Sequence, residues 1–305
     1  MINNYLNKSQ VEYKEMVENT HKTPLKRPEW LRVKAPSGQN YEYLQKMMQR
    51  QKLNTVCEEA DCPNIAECWG HRTATFMILG DTCTRSCGFC AVKVGRPNHL
   101  DLQEPQRVAE AVKELNLRHV VVTSVDRDDL KDGGSLIFSE TVRLIRQEMP
   151  ETTIEILIPD FKGDEEAFKI IMQNPPDILN HNLETVPRLY PYVRPQAKYK
   201  RSLELLLWFK EHNLRTKSGI MVGIGEQPEE VLALMQDLVD YKCDILTIGQ
   251  YLQPTKEHLP IDRYVTPEEF RMYKMEGLKM GFKIIESGPL VRSSYHADAQ
   301  AREIL

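Results

Sequence analysis

Residues 72–90 read RTATFMILGDTCTRSCGFC. An apolar, β-prone run over 72–79 is broken by Gly80 and Asp81, and Cys83, Cys87 and Cys90 follow at once. A strand that ends in such a break puts the next residues at its C-terminal edge. Downstream, apolar runs at 75–79, 119–125, 153–158, 177–181, 217–223 and 245–250 alternate with amphipathic stretches at 104–115, 135–148, 165–173, 199–212, 228–241 and 267–280. Strands alternating with helices of that length imply right-handed crossovers and a parallel sheet, hence an α/β fold: a barrel, part of one, or a doubly wound sheet. The six strand–helix units favour a partial (β/α)6 barrel, in which sites collect at the C-terminal ends of the strands. The cysteine triple falls there.

The chain has 305 residues, enough for two domains or one large α/β domain with attached segments. Its formal net charge of −4 removes the simplest argument for nucleic-acid binding, a strongly basic face. No apolar run approaches the roughly 18 residues of a spanning helix, so no membrane partner is expected. Glu12, Glu15, Glu18 and Glu29 interrupt the first thirty residues, which read as neither a secretory signal nor an acid-poor transit peptide. The expected location is cytoplasmic, and a reducing compartment turns cysteines toward metal binding or catalysis.

Of the seven cysteines, only Cys243 lies outside residues 57–90, and it reads as a core cysteine. The rest form two triples, Cys57-x4-Cys62-x5-Cys68 and Cys83-x3-Cys87-x2-Cys90, each one ligand short of four. Closed zinc sites favour paired Cys-x2-Cys or mixed Cys and His sets, and only Cys87 and Cys90 form such a pair, with His71 and His99 as the nearby imidazoles. Iron–sulfur clusters suit short, irregular cysteine runs, because their irons need thiolates from different directions. Three cysteines per cluster leave one iron of each open to another ligand. Gly88 is expected to ease a tight backbone turn, and Phe89 to wall the last ligand.

The other strand ends are polar: Asp126, Arg127, Asp128 and Asp129, then Asp132-Gly133-Gly134; His181, Asn182 and Glu184; and Gly223, Gly225 and Glu226. Helix capping and turns account for such residues singly, while convergence on one barrel face favours function. The terminal segment 287–298, SGPLVRSSYHAD, is too rich in small and polar residues for a routine closing helix. It concentrates hydrogen-bonding and ligating groups at Arg292, Ser293, Ser294, Tyr295 and His296.

These motifs resemble a known family. Cys83-x3-Cys87-x2-Cys90 with Phe89 looks like the signature of radical S-adenosylmethionine (SAM) enzymes, and CEEADCPNIAECW (57–69) resembles the added motif of the lipoyl synthases. RTATFMILG, DILNHNLET, TKSGIMVGIGE, GQYLQPT and SGPLVRSSYHAD follow in the family's order, so the likeness covers roughly residues 25–300. Gly88 departs from the pattern, where a larger, often basic residue is common, and Val125-Asp126-Arg127 is also unusual; neither is expected to touch a ligand.

The resemblance implies two [4Fe-4S] clusters. Cys83, Cys87 and Cys90 would hold one, whose fourth iron chelates SAM; reductive cleavage of SAM yields a 5′-deoxyadenosyl radical. Cys57, Cys62 and Cys68 would hold the other, the sulfur source, with Ser294 as fourth ligand and Ser293 as the alternative. Asn182, Glu184 and Glu226 resemble SAM contacts. The implied reaction is sulfur insertion at carbons 6 and 8 of an octanoyl group on a lysine of a lipoyl carrier domain or a glycine-cleavage H-type protein. The implied partners are an electron donor such as ferredoxin or flavodoxin and an iron–sulfur carrier that rebuilds the consumed cluster.

On this reading residues 1–40 are an extension, wrapping or partly disordered; 41–72 carry the auxiliary cluster; 73–286 are the radical SAM partial barrel; and 287–305 close the auxiliary cluster. Two competing readings remain. A methylthiolating enzyme would be expected to add modules and a more basic surface. An electron carrier needs neither a six-unit barrel nor an open iron.

Overall fold

The computed structural model describes residues 6–20, 25–33, 38–59, 62–70 and 75–305. The chain begins with helices α1 (Lys8–Thr20) and α2 (Gln39–Gln51), strand β1 (Asn54–Thr55) and the short helices α3 (Val56–Glu59) and α4 (Ile65–Gly70). Strand β2 (Thr75–Ile78) opens the barrel, and a two-stranded ribbon, β3 (Thr82–Cys83) with β4 (Lys93–Val94), brackets the loop between them. Helix α5 (Glu104–Leu115) leads to β5 (His119–Ser124), α6 (Ser135–Glu148) to β6 (Thr153–Leu157), and α7 (Glu165–Ile171) to β7 (Ile178–Asn180). Helices α8 (Tyr190–Val193) and α9 (Tyr199–Glu211), β8 (Arg215–Val222), α10 (Pro228–Asp240), β9 (Ile245–Gln250), α11 (Pro267–Met280), β10 (Ile284–Gly288) and α12 (Ala297–Ile304) complete the chain.

Eight strands form one sheet in the order β1-β2-β5-β6-β7-β8-β9-β10. Every pairing from β2 to β10 is parallel, and only β1 joins antiparallel. The sheet does not close on itself, so the expected partial barrel is what the chain builds. Its strands are covered on both faces: β2 and β9 are buried at every position, which is why they read as continuous apolar runs and not as an alternation.

The helices begin where local chemistry permits. Asp164 caps α7 by accepting from the Glu166 amide at 3.0 Å, and Thr266 caps α11 through the Glu269 amide at 3.3 Å. Pro228 and Pro267 occupy first-turn positions, and Gly281, at φ 117°, terminates α11 in the left-handed region.

Among the elements with no matching signal in the sequence are α1, β10 and α12. Helix α1 forms within the expected N-terminal extension. Strand β10 pairs residue for residue with β9, from Ile284 with Ile245 to Gly288 with Gly249. Helix α12 starts at Ala297, inside the segment 287–298 that does not read as a routine closing helix, and buries Ala297, Gln300 and Ala301. Each depends on a distant surface to pack against, which a local pattern does not reveal. His71, Pro24 and Pro36 lie outside the described residues.

Candidate functional site

At the C-terminal ends of the strands lies a cavity of about 550 Å³ whose wall includes Cys57, Cys62, Cys83, Cys87, Cys90 and Ser294. Cysteines of both triples therefore open onto one space. All the cysteines are free thiols. Cys68 stands outside the cavity wall but within electrostatic reach of Cys57. Among the described residues no three His, Cys, Asp or Glu side chains converge tightly enough to hold a single metal ion. The spread of the thiols around the cavity does not match the ligand set of one tetrahedral ion, which crowds within short bonds.

The barrel-side triple sits on the loop after β2. Leu79 (φ 70°) and Gly80 (φ 91°) turn the chain off the strand, and the Leu79 amide donates to the buried Glu104 carboxylate at 2.6 Å. Two amides point at Cys83 Sγ, those of Asp126 at 3.3 Å and Arg85 at 3.5 Å, a geometry that favours a thiolate. Arg85 is buried and holds three carboxylates: Asp128 at 2.8 Å, Asp160 at 2.7 Å and Asp126 at 3.3 Å. Arg201 supports Asp160 from its other side at 3.0 Å. The cysteine loop is thereby tied to the ends of β5 and β6.

The chain does turn at Gly88 and Phe89, with the Cys90 amide donating to the Cys87 carbonyl at 3.1 Å, but the turn does not require a glycine. Gly88 has no positive φ; a Cβ there would meet Leu259 at 2.8 Å and the Gln10 amide nitrogen at 3.0 Å. The glycine makes room for packing. Gln10 on α1 donates to the Ser86 carbonyl at 3.1 Å, and Tyr13 on the same helix donates to the Ile224 carbonyl at 2.5 Å while stacking on Tyr192.

The other triple rests on α3, α4 and the turn between them. The Cys62 amide donates to the Cys57 carbonyl at 3.1 Å, and the Cys68 amide to Asn64 at 2.9 Å. Asn64 Nδ2 donates to the Leu290 carbonyl at 2.7 Å, and Tyr295 Oη to Glu67 at 3.3 Å, so the C-terminal segment is fastened to this cysteine segment. Thr75, whose amide faces the Cys57 sulfur, donates through Oγ1 to Ser294 Oγ at 2.8 Å. Ser293 faces the other way: its Oγ accepts from Asn180 Nδ2 at 2.8 Å and donates to Asn182 Oδ1 at 3.0 Å.

Burial sets the electrostatics. It pushes the Cys57 and Cys83 thiols up to about 12 and Cys90 to about 11, and raises Cys87 and Cys62 as well. Soft donors kept protonated by desolvation release their protons when a cation takes their place. The donor set thus fits iron–sulfur ligation on both sides of the cavity.

Asn182 and Glu184 line the cavity. Glu184 adopts φ 67°, held by its amide on Gly219 at 3.0 Å and its carbonyl on Met221 at 2.8 Å; strain kept by such bracing is typical of a binding site. Burial raises its carboxyl, and Arg194 opposes that rise. Glu226 lies off the cavity wall, accepting from the Gly223 amide at 2.6 Å and the Ile224 amide at 3.0 Å. Sequence reasoning missed Arg85, Arg194 and Thr75. Arg194 is buried against the cavity, donates to the Asn182 carbonyl at 2.5 Å, and leaves its Nε without a partner. Arg85 had a signal, lying between two of the cysteines; Arg194, in a loop after β7, had none. Cys243 is buried beneath the sheet, with its sulfur 3.7 Å from the Thr216 carbonyl.

Comparison with known proteins settles the family. The radical SAM superfamily profile matches residues 77–238, and the N-terminal domain of lipoyl synthase of that superfamily matches residues 1–62. The lipoyl synthase of Rubrobacter xylanophilus is 60% identical over 91% of this chain and 87% of its own length. The chain belongs to the lipoyl synthase family. That of Flavobacterium psychrophilum is 55% identical over 93% of this chain and 98% of its own length. The mitochondrial lipoyl synthase of Nematostella vectensis is 53% identical with the same two coverages, 93% and 98%. Among solved structures, the FeFe-hydrogenase maturase HydG from Carboxydothermus hydrogenoformans superposes with a TM-score of 0.55 at 13% identity, covering 97% of this chain and 73% of its own. At that identity the likeness is one of fold, and it matches the open parallel sheet described above.

Proposed function

We propose that this chain inserts two sulfur atoms, at carbons 6 and 8, into an octanoyl group carried on a lysine of a lipoyl carrier domain. The observation that carries this reading is that five cysteines drawn from the two triples and a serine-bearing turn open onto a single cavity. When bound, the two [4Fe-4S] clusters and SAM supply a 5′-deoxyadenosyl radical for hydrogen abstraction and sulfide for insertion.

The chain's own residues hold and orient. Cys83, Cys87 and Cys90 bind the cluster that carries SAM, with the Asp126 and Arg85 amides directed at the first of these sulfurs. Arg194, a buried cation with an uncommitted Nε, meets the carboxylate of SAM, while Glu184 and Asn182 meet its polar end. Glu226 supports this region from behind by fixing the Gly223–Ile224 turn.

Cys57, Cys62 and Cys68 bind the auxiliary cluster with Ser294. The hydrogen bonds separate the two serines: Ser293 is engaged as both acceptor and donor by asparagines of the barrel, whereas Ser294 only accepts, from Thr75 beside Cys57. A serine oxygen binds iron less well than a thiolate does, which suits a cluster that must be dismantled. Met77, Val92, Val94, Leu157 and Ile220 give the cavity aliphatic wall against which an octanoyl chain packs and from which water is excluded.

An octanoylated carrier domain or glycine-cleavage H-type protein brings the substrate, ferredoxin or flavodoxin supplies electrons, and an iron–sulfur carrier restores the auxiliary cluster. The test supplies reduced, cluster-loaded protein with SAM and an octanoylated carrier peptide and follows the peptide by mass spectrometry. A gain of two sulfurs is expected; 5′-deoxyadenosine formed with no sulfur gained refutes the reading. Ser294→Cys is expected to keep the auxiliary cluster yet lower sulfur insertion by at least about tenfold, by replacing a labile ligand with a firm one.

A further inference from the structure

Inside the barrel, where aliphatic packing is the rule, Lys217 and Glu155 form an ion pair at 3.0 Å with both side chains 0% exposed. Taking two charges out of water is expensive, and a well-packed apolar pair of similar volume is often no less stable, so such a pair invites a role in specificity. The hydrogen bonds around it suggest which. Glu155 Oε1 accepts from Asn180 Nδ2 at 2.8 Å, and the same Nδ2 donates to Ser293 Oγ at 2.8 Å. Because an ionised carboxylate only accepts, Glu155 dictates that the amide nitrogen of Asn180 face it. This orientation leaves Asn180 Oδ1 buried without a partner, a loss that persists because the flipped amide would set oxygen against carboxylate. With Asn180 donating, Ser293 accepts and passes its own proton to Asn182 Oδ1 at 3.0 Å. One continuous arrangement, Lys217–Glu155–Asn180–Ser293–Asn182, fixes the direction of every bond.

Ser293 adjoins Ser294 in a turn with no strand or helix of its own, residues 289–296. A ligand on a free turn must be ordered each time it binds, and backbone ordering costs about 1–2 kcal/mol per residue. We propose that Asn180, braced by the Lys217–Glu155 pair, is a positioning residue that latches Ser293 and so presents Ser294 to Cys57, Cys62 and Cys68. This rests on the assignment of Ser294 as the auxiliary cluster's ligand. The latch is built into β6, β7 and β8, so it stays in place while the auxiliary cluster comes and goes.

The test compares wild type, Ser293→Ala, Ser293→Thr, Asn180→Leu and Ser294→Ala, all full-length and loaded with both clusters. Each is challenged anaerobically with an iron chelator, and the two clusters are followed separately by electron paramagnetic resonance, with the cluster whose signal responds to SAM as the internal reference. Ser293→Ala and Asn180→Leu are expected to release auxiliary iron about tenfold faster than wild type relative to that reference, the scale of one lost buried hydrogen bond. Ser293→Thr, which keeps the hydroxyl, is expected to restore the slow release. Equal acceleration of both clusters in Ser293→Ala marks general loosening and overturns the latch, as does wild-type release in that variant. Ser294→Ala separates the two claims: if it leaves the auxiliary signal unchanged, the ligand assignment fails; if it alters the signal while Ser293→Ala does not, only the latch fails.

Discussion

The two cysteine triples meet the same demand, three sulfurs around a desolvated space, with opposite scaffolding. Cys83, Cys87 and Cys90 lie within eight residues on one loop, tied into the barrel by a buried arginine and three carboxylates. Cys57 and Cys68 lie on short helices with Cys62 between them, joined to a turn from the far end of the chain by neutral hydrogen bonds and, at the surface, by Glu67 meeting Tyr295 and His296. Charged, multiply hydrogen-bonded contacts are stronger and stiffer than neutral ones. On the proposed function, the difference teaches that the site used repeatedly is built into the sheet, while the site to be consumed is assembled from parts that can separate.

Breaking the barrel-side brace is the harshest challenge to this contrast. Arg85→Met leaves Asp126 without its ion-pair partner and Asp128 with only the exposed Lys162, and is expected to destabilise the protein by about 3–5 kcal/mol. Denaturant titration measures this, and SAM cleavage should fall with it while the auxiliary cysteines still bind iron. A smaller effect is expected on the same side from pH. Burial pushes His181 down to about 4 from its ordinary 6.5, with Nδ1 on the Ile158 carbonyl at 2.8 Å and Nε2 on Ser202 at 2.9 Å. The unfolded chain therefore binds a proton first as pH falls. Stability is full above pH 6.5 and declines toward pH 4, by at most about 3 kcal/mol. His181→Gln should flatten that acid limb in thermal melts; an unchanged limb would assign it elsewhere.

The mildest prediction concerns the looser site. Asn64→Ala removes the bond to the Leu290 carbonyl and is expected to lower global stability by only about 1 kcal/mol, while hydrogen exchange over residues 289–296 rises. Should that variant destabilise the protein as much as Arg85→Met, the contrast between rigid and separable scaffolds is wrong.

Much of the barrel was legible. The expected helices at 104–115, 135–148 and 267–280 match α5, α6 and α11, and each expected strand lies within two residues of an observed one, because long periodic segments carry their own signal. Strand β10 was hidden because residues 284–288 combine two apolar residues with Glu286, Ser287 and Gly288, and only the exposed edge of β9 makes a strand of them. Gly88 was legible as a glycine but not in its purpose, since neither Leu259 nor Gln10 is near it in sequence. The same holds for Glu226, which sits at the anticipated strand end yet turns its carboxylate to backbone amides.

From residues alone came the two triples, their spacing, the reducing chemistry they imply and the strand–helix alternation, because ligand type and hydrophobic period are local properties of a chain. Folding decided that cysteines of both triples face one cavity, that Arg85 and Arg194 turn inward, and that Ser293 and Ser294 point to opposite partners. Those outcomes join residues tens to hundreds of positions apart, and only the assembly of the curved, open sheet brings their side chains within hydrogen-bonding reach.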